Sequence, residues 1–312
     1  LTLQTPDPIG PRLIAGQRRN NGGMQMNTER AAPTLGARLR EWRNRRRMSQ
    51  LELACDADIS ARHLSFLETG RAKPSQAVLL HLAMCLDVPL RDRNTLLRAA
   101  GFEPIFQERA FDNPALGMVR QDVEAMLSSY DPNPALAVDR HWTMLTANRA
   151  VAHLVAGAEP MLLRPPVNLL RLFLHPAGLA SRIVNLAQWR GHVFARLRRQ
   201  IDINGDPVLM DLLEEIRDYP GLLAHGAPHT VPDTIAVPFR LATIDGVLSF
   251  FSTSTVFQAP VDITVSELAI EAFLPADTMT AEAMRGVAAQ TEAYPKIHAV
   301  EPLGATQQPI AV

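Results

Sequence analysis

Lysine is nearly missing from this chain: of 31 basic residues only Lys73 and Lys296 are lysines, a bias of genome composition more than of mechanism. Cysteine is scarce too. Cys55 and Cys85 fall among apolar neighbours on predicted helices, as small core residues do. They leave no disulfide framework and no zinc-ligand set, and they suit a reducing cytoplasm. No apolar run reaches the ~18–20 residues of a bilayer-spanning helix. The N-terminus lacks a charged-then-apolar leader. Catalytic signatures are absent as well. There is no Gly-x-Ser-x-Gly, no phosphate-binding glycine loop and no Cys-x-x-Cys. His141, His153, His175 and His192 are scattered without His-x-x-x-His spacing, and His175 before Pro176 reads as a helix-start or core histidine. Asp202 and Asp206 flank Asn204-Gly205, but the glutamate of a calcium loop is missing. No catalytic residue, metal or cofactor is expected, no membrane association, and a cytoplasmic location.

What is present is length, apolar content and a local concentration of charge. The 312 residues suggest about two domains, and 47% hydrophobic content can fill their cores. The net charge of −1 hides an uneven distribution: Arg38, Arg40, Arg43, Arg45, Arg46 and Arg47 crowd one short stretch, while several acids lie between 202 and 218. Local basicity in a neutral chain fits a nucleic-acid module joined to something else. The run alone equally suits a solvated helix face. Residues 1–33, rich in Gly, Pro, Asn and Arg, read as a disordered extension, with Met24 or Met26 as candidate starts.

Residues 34–101 read as five short helices. Thr34 caps the first, with Leu35, Leu39 and Trp42 on its apolar face. Ser49 and Glu52 form a capping box for the second. Asp56-Ala57-Asp58 turns the chain, Ser60 caps the third helix and Gly70 stops it. Pro74-Ser75 opens a fourth helix, and a fifth follows Pro89 and ends at Gly101. Two helices across a tight turn place one against a DNA backbone and the next in the major groove.

The spaced positions Gln50, Leu53-Ala54, Ile59-Ser60, Leu64-Ser65, Leu67-Glu68, Gly70, Pro74 and Ser75 resemble the Cro/phage-repressor (xenobiotic-response-element, XRE) helix-turn-helix family, over roughly 35–100. Asp58 stands where that family carries Gly, and Asp tolerates left-handed backbone better than most residues. In that geometry Gln50 donates to a phosphate and fixes register. Ser60, Ala61, Arg62 and His63 begin the recognition helix, with Arg62 able to bridge guanine O6 and N7. Ser65, Arg71 and Lys73 face the backbone, and Arg45–Arg47 add to a salt-dependent footprint. A helical bundle used only for protein contacts is the alternative.

Residues 102–112 read as a linker, 113–276 as a mixed α/β domain and 277–312 as a flexible Ala/Glu/Pro-rich tail. In the second domain a helix at 115–129 stops at Asp131-Pro132-Asn133-Pro134. Two strands follow, at 135–139 and 142–148, with Asn148 capping a short helix to Val155. One long amphipathic helix is expected over 177–201 and another over 206–218. Asp245-Gly246 makes a two-residue hairpin turn that sets Leu241 opposite Phe250 and Thr243 opposite Leu248. A last strand is expected near 267–274.

The stretch from Val138 to Trp142, with Asn148-Arg149-Ala150, resembles the opening of a PAS domain. More widely, 112–276 is similar to the ligand-binding domain of MmyB-like transcriptional regulators. The phrases that carry this are Asn133-Pro134-Ala135, Asp139-Arg140-His141-Trp142, Asn168-Leu169-Leu170 with Phe173, His175-Pro176, and Phe273-Leu274-Pro275-Ala276-Asp277. The resemblance implies a PAS-like sheet around an apolar cavity for a fatty-acid-like molecule. Trp142, Phe173, Trp189, Phe239 and Phe250 are candidate lining residues, although any core needs such side chains. Arg164, Arg171 and His192 are candidate partners for an acidic head group.

The sequence thus leads to a bacterial homodimeric regulator that binds double-stranded DNA and responds to a small hydrophobic ligand. Two alternatives stay open: a DNA-tethered enzyme, and a second domain that binds only a partner protein.

Overall fold

The structure is a computed structural model that describes residues 33–220, 237–244, 246–257 and 260–290. Residues from Thr34 onward cluster as one unit. Five helices come first: α1 (Leu35–Arg45), α2 (Gln50–Asp56), α3 (Ala61–Glu68), α4 (Gln76–Cys85) and α5 (Leu90–Ala100). Local capping sets their starts. Thr34, Ser49, Ser60 and Ser75 each accept a backbone N–H from three residues on, and Glu52 completes the box at Ser49. Asp58 adopts φ 48°, which lets α2 turn into α3 without glycine. Leu39, Leu53, Leu64, Leu67, Leu79 and Leu82 form the core of this half. Gly36 lets α1 touch α3, because a Cβ there would collide with the Glu68 carbonyl.

The second half is an α+β domain. It contains α6 (Gly117–Ser129), β1 (Ala135–Val138), β2 (Met144–Ala147), α7 (Val151–Leu154), α8 (Leu169–Leu174), α9 (Leu186–Asn204), α10 (Pro207–Arg217), β3 (Phe239–Thr243), β4 (Gly246–Val256), α11 (Ile263–Ser266), β5 (Ala269–Pro275) and α12 (Thr278–Gln290). The five strands form one antiparallel sheet in the order β2-β1-β5-β4-β3. Strand alternation splits the apolar side chains between two faces. Leu136, Val138, Phe239, Leu241, Phe250 and Phe273 join the core with α8, α9 and α10. Ala135, Ala137, Ile270 and Ala272 pack with Val123 and Leu127 of α6.

Several local expectations are corrected. The helix expected over 177–201 is broken: a 3-10 turn at Ala180–Arg182 precedes α9. Between them Ile183 bridges to Leu241 and the Val184 N–H donates to the Arg240 carbonyl at 2.9 Å, so edge strand β3 takes these backbone groups from a helix. The hairpin register also differs. Leu241 pairs with Leu248, Phe239 with Phe250 and Thr243 with Gly246. A shift of two keeps the same faces inward, so alternation cannot distinguish the registers. Asp245 lies outside the described residues. Asn148 is not a cap; its side chain accepts from Ala135 N at 3.1 Å and donates to the Leu127 and Asn133 carbonyls. Residues 278–290, expected within a flexible tail, form α12, with Thr280 and Met284 buried. Thr280 Oγ1 accepts from Ser249 N at 2.9 Å, and this contact to β4 was hidden by the Ala-rich composition. The remainder of that tail, and the extension 1–32, lie outside the described residues.

Candidate DNA-binding face and ligand cavity

The start of α3 is open to solvent. Arg62 is exposed, and Ala61 and His63 are partly so. The Ser60 hydroxyl is occupied by its cap, accepting from His63 N at 3.1 Å. Arg62 and Arg71 share one support, their guanidinium carbons lying 5.3 and 5.9 Å from the Phe66 ring centroid. Arg71 and Lys73 are exposed beyond α3, and Ser65 is partly exposed on it.

Gln50 is held from inside. Its Nε2 donates to Glu68 Oε2 at 2.8 Å. The same buried carboxylate accepts from Arg43 at 2.7 and 3.0 Å and from Arg40 at 3.4 Å. Burial pushes the Glu68 carboxyl up, but hydrogen bonds from Arg43 and Gln50 and the Arg43 charge outweigh it and hold the group below its ordinary value. The α1, α2 and α3 helices are thereby tied at one point, and one amide hydrogen of Gln50 remains for an outside acceptor. The arginine run contributes less free charge than its sequence implies. Arg43 is bound to Glu68, Arg45 pairs with Glu41 at 2.5 Å, and Arg46 donates to the Leu86 and Asp87 carbonyls. Of Arg45–Arg47 only Arg47 is exposed.

The stretch between the halves is an ordered strap. Asn94 of α5 clamps it, donating to the Phe106 carbonyl at 2.7 Å and accepting from the N–H groups of Ile105 and Phe106. Arg91 of α5 donates to Glu108 at 2.7 and 2.5 Å and to Glu267 at 2.8 and 2.9 Å. Glu267 is also 3.8 Å from Arg140, which is 3.4 Å from Asp206. Asp206 lies 3.0 Å from His141 Nε2. Beside this chain of charges, burial pushes the Asp92 carboxyl up against the opposing pull of Arg140 and Arg45. Gly205, at φ 63° after α9, sits where a Cβ would meet the Arg45 guanidinium. Both halves therefore touch through charged groups of α5 and through Arg45 at the end of α1.

In the second half a cavity of about 870 Å³ opens between α7, the β3–β4 hairpin and α12. Leu154, Leu241, Leu248, Phe250 and Met284 supply its apolar wall. Arg182 and His153 are its titratable groups, and no acidic side chain is among the described lining residues. Arg182 donates to the Ala242 carbonyl at 3.2 Å and to the Ala156 carbonyl. Among the described residues no carboxylate forms an ion pair with Arg182, and burial lowers its affinity for the proton.

The expected lining residues divide. Phe250 borders this cavity, whereas Trp142, Phe173 and Trp189 border a separate small void. Phe239 is buried between them, 5.0 Å from Trp189 and 6.3 Å from Phe250 by ring centroids. The expected head-group partners lie elsewhere: Arg171 is paired with Glu215 at 2.7 Å, Arg164 is exposed, and His192 borders the small void. Arg182 falls inside the single helix expected over 177–201, so its place at the cavity wall follows only from the break before α9.

An exposed recognition helix and a sheet domain with an apolar cavity define the class: a helix-turn-helix regulator with a ligand-binding domain. Residues 34–96 match the model of a helix-turn-helix domain. Residues 119–286 match the MmyB-like transcription regulator ligand binding domain. The second match spans more than half of the chain, which therefore belongs to the MmyB-like transcription regulators. No curated protein matches the chain. The two matched families are a helix-turn-helix domain and the ligand-binding domain of transcription regulators. Among the described residues no helix is long and apolar enough to cross a membrane.

Proposed function

We propose that this chain is a cytoplasmic bacterial regulator of the XRE type, which binds a near-palindromic duplex as a homodimer and is switched by an amphipathic acid resembling a fatty acid. In this reading 34–101 reads DNA, 102–112 is the strap, and the PAS-like sensor begins near 113. The strand order β2-β1-β5-β4-β3 supports the PAS-like assignment. One recognition helix covers few base pairs, which favours two copies on two half-sites. Ala61, Arg62 and His63 face base edges, while Gln50, Ser65, Arg71 and Lys73 hold the backbone. The ligand acts by favouring one arrangement of the two halves.

The observation that carries the ligand reading is Arg182, a cation without an acidic partner among the described residues, at the wall of an apolar cavity. A cavity of about 870 Å³ is ample for a twelve-carbon chain. Calorimetry with dodecanoate tests it. Wild-type protein binds one dodecanoate per chain, and Arg182→Ala weakens binding by about 10- to 150-fold, the worth of a hydrogen bond to a charged group. Undiminished binding in Arg182→Ala, or no binding in wild type, overturns the reading.

A further inference from the structure

The cavity that holds Arg182 is polar at one end. Leu154, Leu241, Phe250 and Met284 are buried in its wall, whereas Ala156 and Gly157 are exposed at its rim. Arg182 sits at that rim. It donates to the Ala156 carbonyl, and a Cβ on Gly157 would lie 3.5 Å from its Nη1. Its Nε donates to the Ala242 carbonyl at 3.2 Å. With Nε taken, the guanidinium cannot grip a carboxylate side-on through Nε and Nη2. A carboxylate held by Nη2 keeps one oxygen for another donor.

The described lining has two other polar side chains, Thr243 and His153. The Thr243 hydroxyl already donates to the Gly246 carbonyl at 2.9 Å. His153 stands at the end of α7, beside Arg182: the Ala156 N–H donates to the His153 carbonyl at 3.4 Å, and the Ala156 carbonyl accepts from Arg182. On α7 Val151 and Leu154 turn into the core, while His153 stays partly exposed and lines the cavity. Arg182 is the one charged side chain of the described lining besides this imidazole. Arg240 of β3 and Glu282 and Arg285 of α12 are exposed and outside it, and Arg149, just before α7, pairs with Asp131 at 3.3 Å. Burial lowers the proton affinity of the His153 ring. A carboxylate beside the ring acts the opposite way, because an anion favours the imidazolium.

We propose that His153 is the second head-group residue of this cavity: the ligand carboxylate lies between the Arg182 guanidinium and the His153 imidazolium, and binding takes up a proton from solvent onto the ring. The apolar chain then runs inward along Leu154, Leu241 and Phe250. The proposal rests on the reading of the Arg182 cavity as the site of an amphipathic acid, and adds that the site is proton-linked.

The test is calorimetry of the full chain with dodecanoate at pH 7 in phosphate and in Tris. These buffers differ in ionisation enthalpy, so the difference in heat counts the protons taken up. Wild-type protein is expected to take up a measurable fraction of a proton per dodecanoate. Its affinity is expected to tighten about three- to tenfold from pH 8 to pH 6, as a rise of about one unit in the ring's proton affinity requires. Dodecan-1-ol, the same chain without the acid, is expected to bind without uptake. In His153→Gln, which keeps a donor but cannot ionise, dodecanoate still binds one per chain, while the uptake and the pH dependence disappear. Far-UV circular dichroism checks the fold of the variant, and the wild-type count stands without it. Dodecanoate binding without proton uptake in wild type overturns the proposal and leaves the Arg182 reading intact. Uptake that persists in His153→Gln, or that dodecan-1-ol also causes, overturns it too. Absence of dodecanoate binding in wild type overturns the Arg182 reading itself, and this proposal with it.

Discussion

Glu68 is a carboxylate without solvent contact, held by Arg43, Gln50 and Arg40 across three helices. Replacing it by Gln leaves the partly buried Arg43 without its counter-charge, and a loss of about 3 kcal/mol in urea unfolding at neutral pH is expected. The native carboxyl is held below its ordinary value, so its contribution is fully present above about pH 4.3 and disappears as pH falls through the native pKa. Glu68→Gln should therefore flatten the acid limb of the stability curve; an unchanged limb would contradict this account of the network. The contrast in legibility is physical. Ser49, Ser60 and Ser75 bond three residues away, and such caps are written in the sequence. The tie from Gln50 to Glu68 spans 18 residues and needs the turn at Asp58 to exist first. A phosphate role for Gln50 was readable from its position, whereas its role as an internal strut was not.

At the scale of elements, α3 is the helix proposed to enter a groove. Its first turn has few internal ties, which leaves Arg62 available over Phe66. Arg62→Ala is expected to cost about 1–3 kcal/mol of discrimination at one base pair while leaving other positions unchanged, measured by anisotropy against a set of singly substituted duplexes. Unchanged base preference would remove Arg62 from base reading. The five N-terminal helices were legible because their stops are chemical: Gly70 at φ 73° and Gly101 at φ 85° end α3 and α5. The elements of the second half were harder. The break before α9 depends on edge strand β3, more than fifty residues later, and α12 on a bond from Ser249. Periodicity sees a face, not the partner that claims it.

For the whole molecule, the ion chain from Arg91 through Glu267 and Arg140 to Asp206 and His141 ties the DNA-binding bundle to the strap and the sensor sheet. His141 precedes Trp142, which borders the small void, and Glu267 sits just before β5, which carries Glu271. None of these long-range pairs was visible in the sequence, where Arg91 was one arginine among many. They give a contiguous path by which a change in the sensor reaches α5, and the central claim is that ligand and DNA binding are coupled through it. The direct measurement is affinity for a duplex selected from a random pool, at fixed salt, with and without saturating dodecanoate. The account predicts a change of about fivefold or more in the wild-type chain. It predicts that Arg91→Ala brings the ratio close to one while each ligand still binds alone. An unchanged DNA affinity in wild type with dodecanoate bound would contradict it.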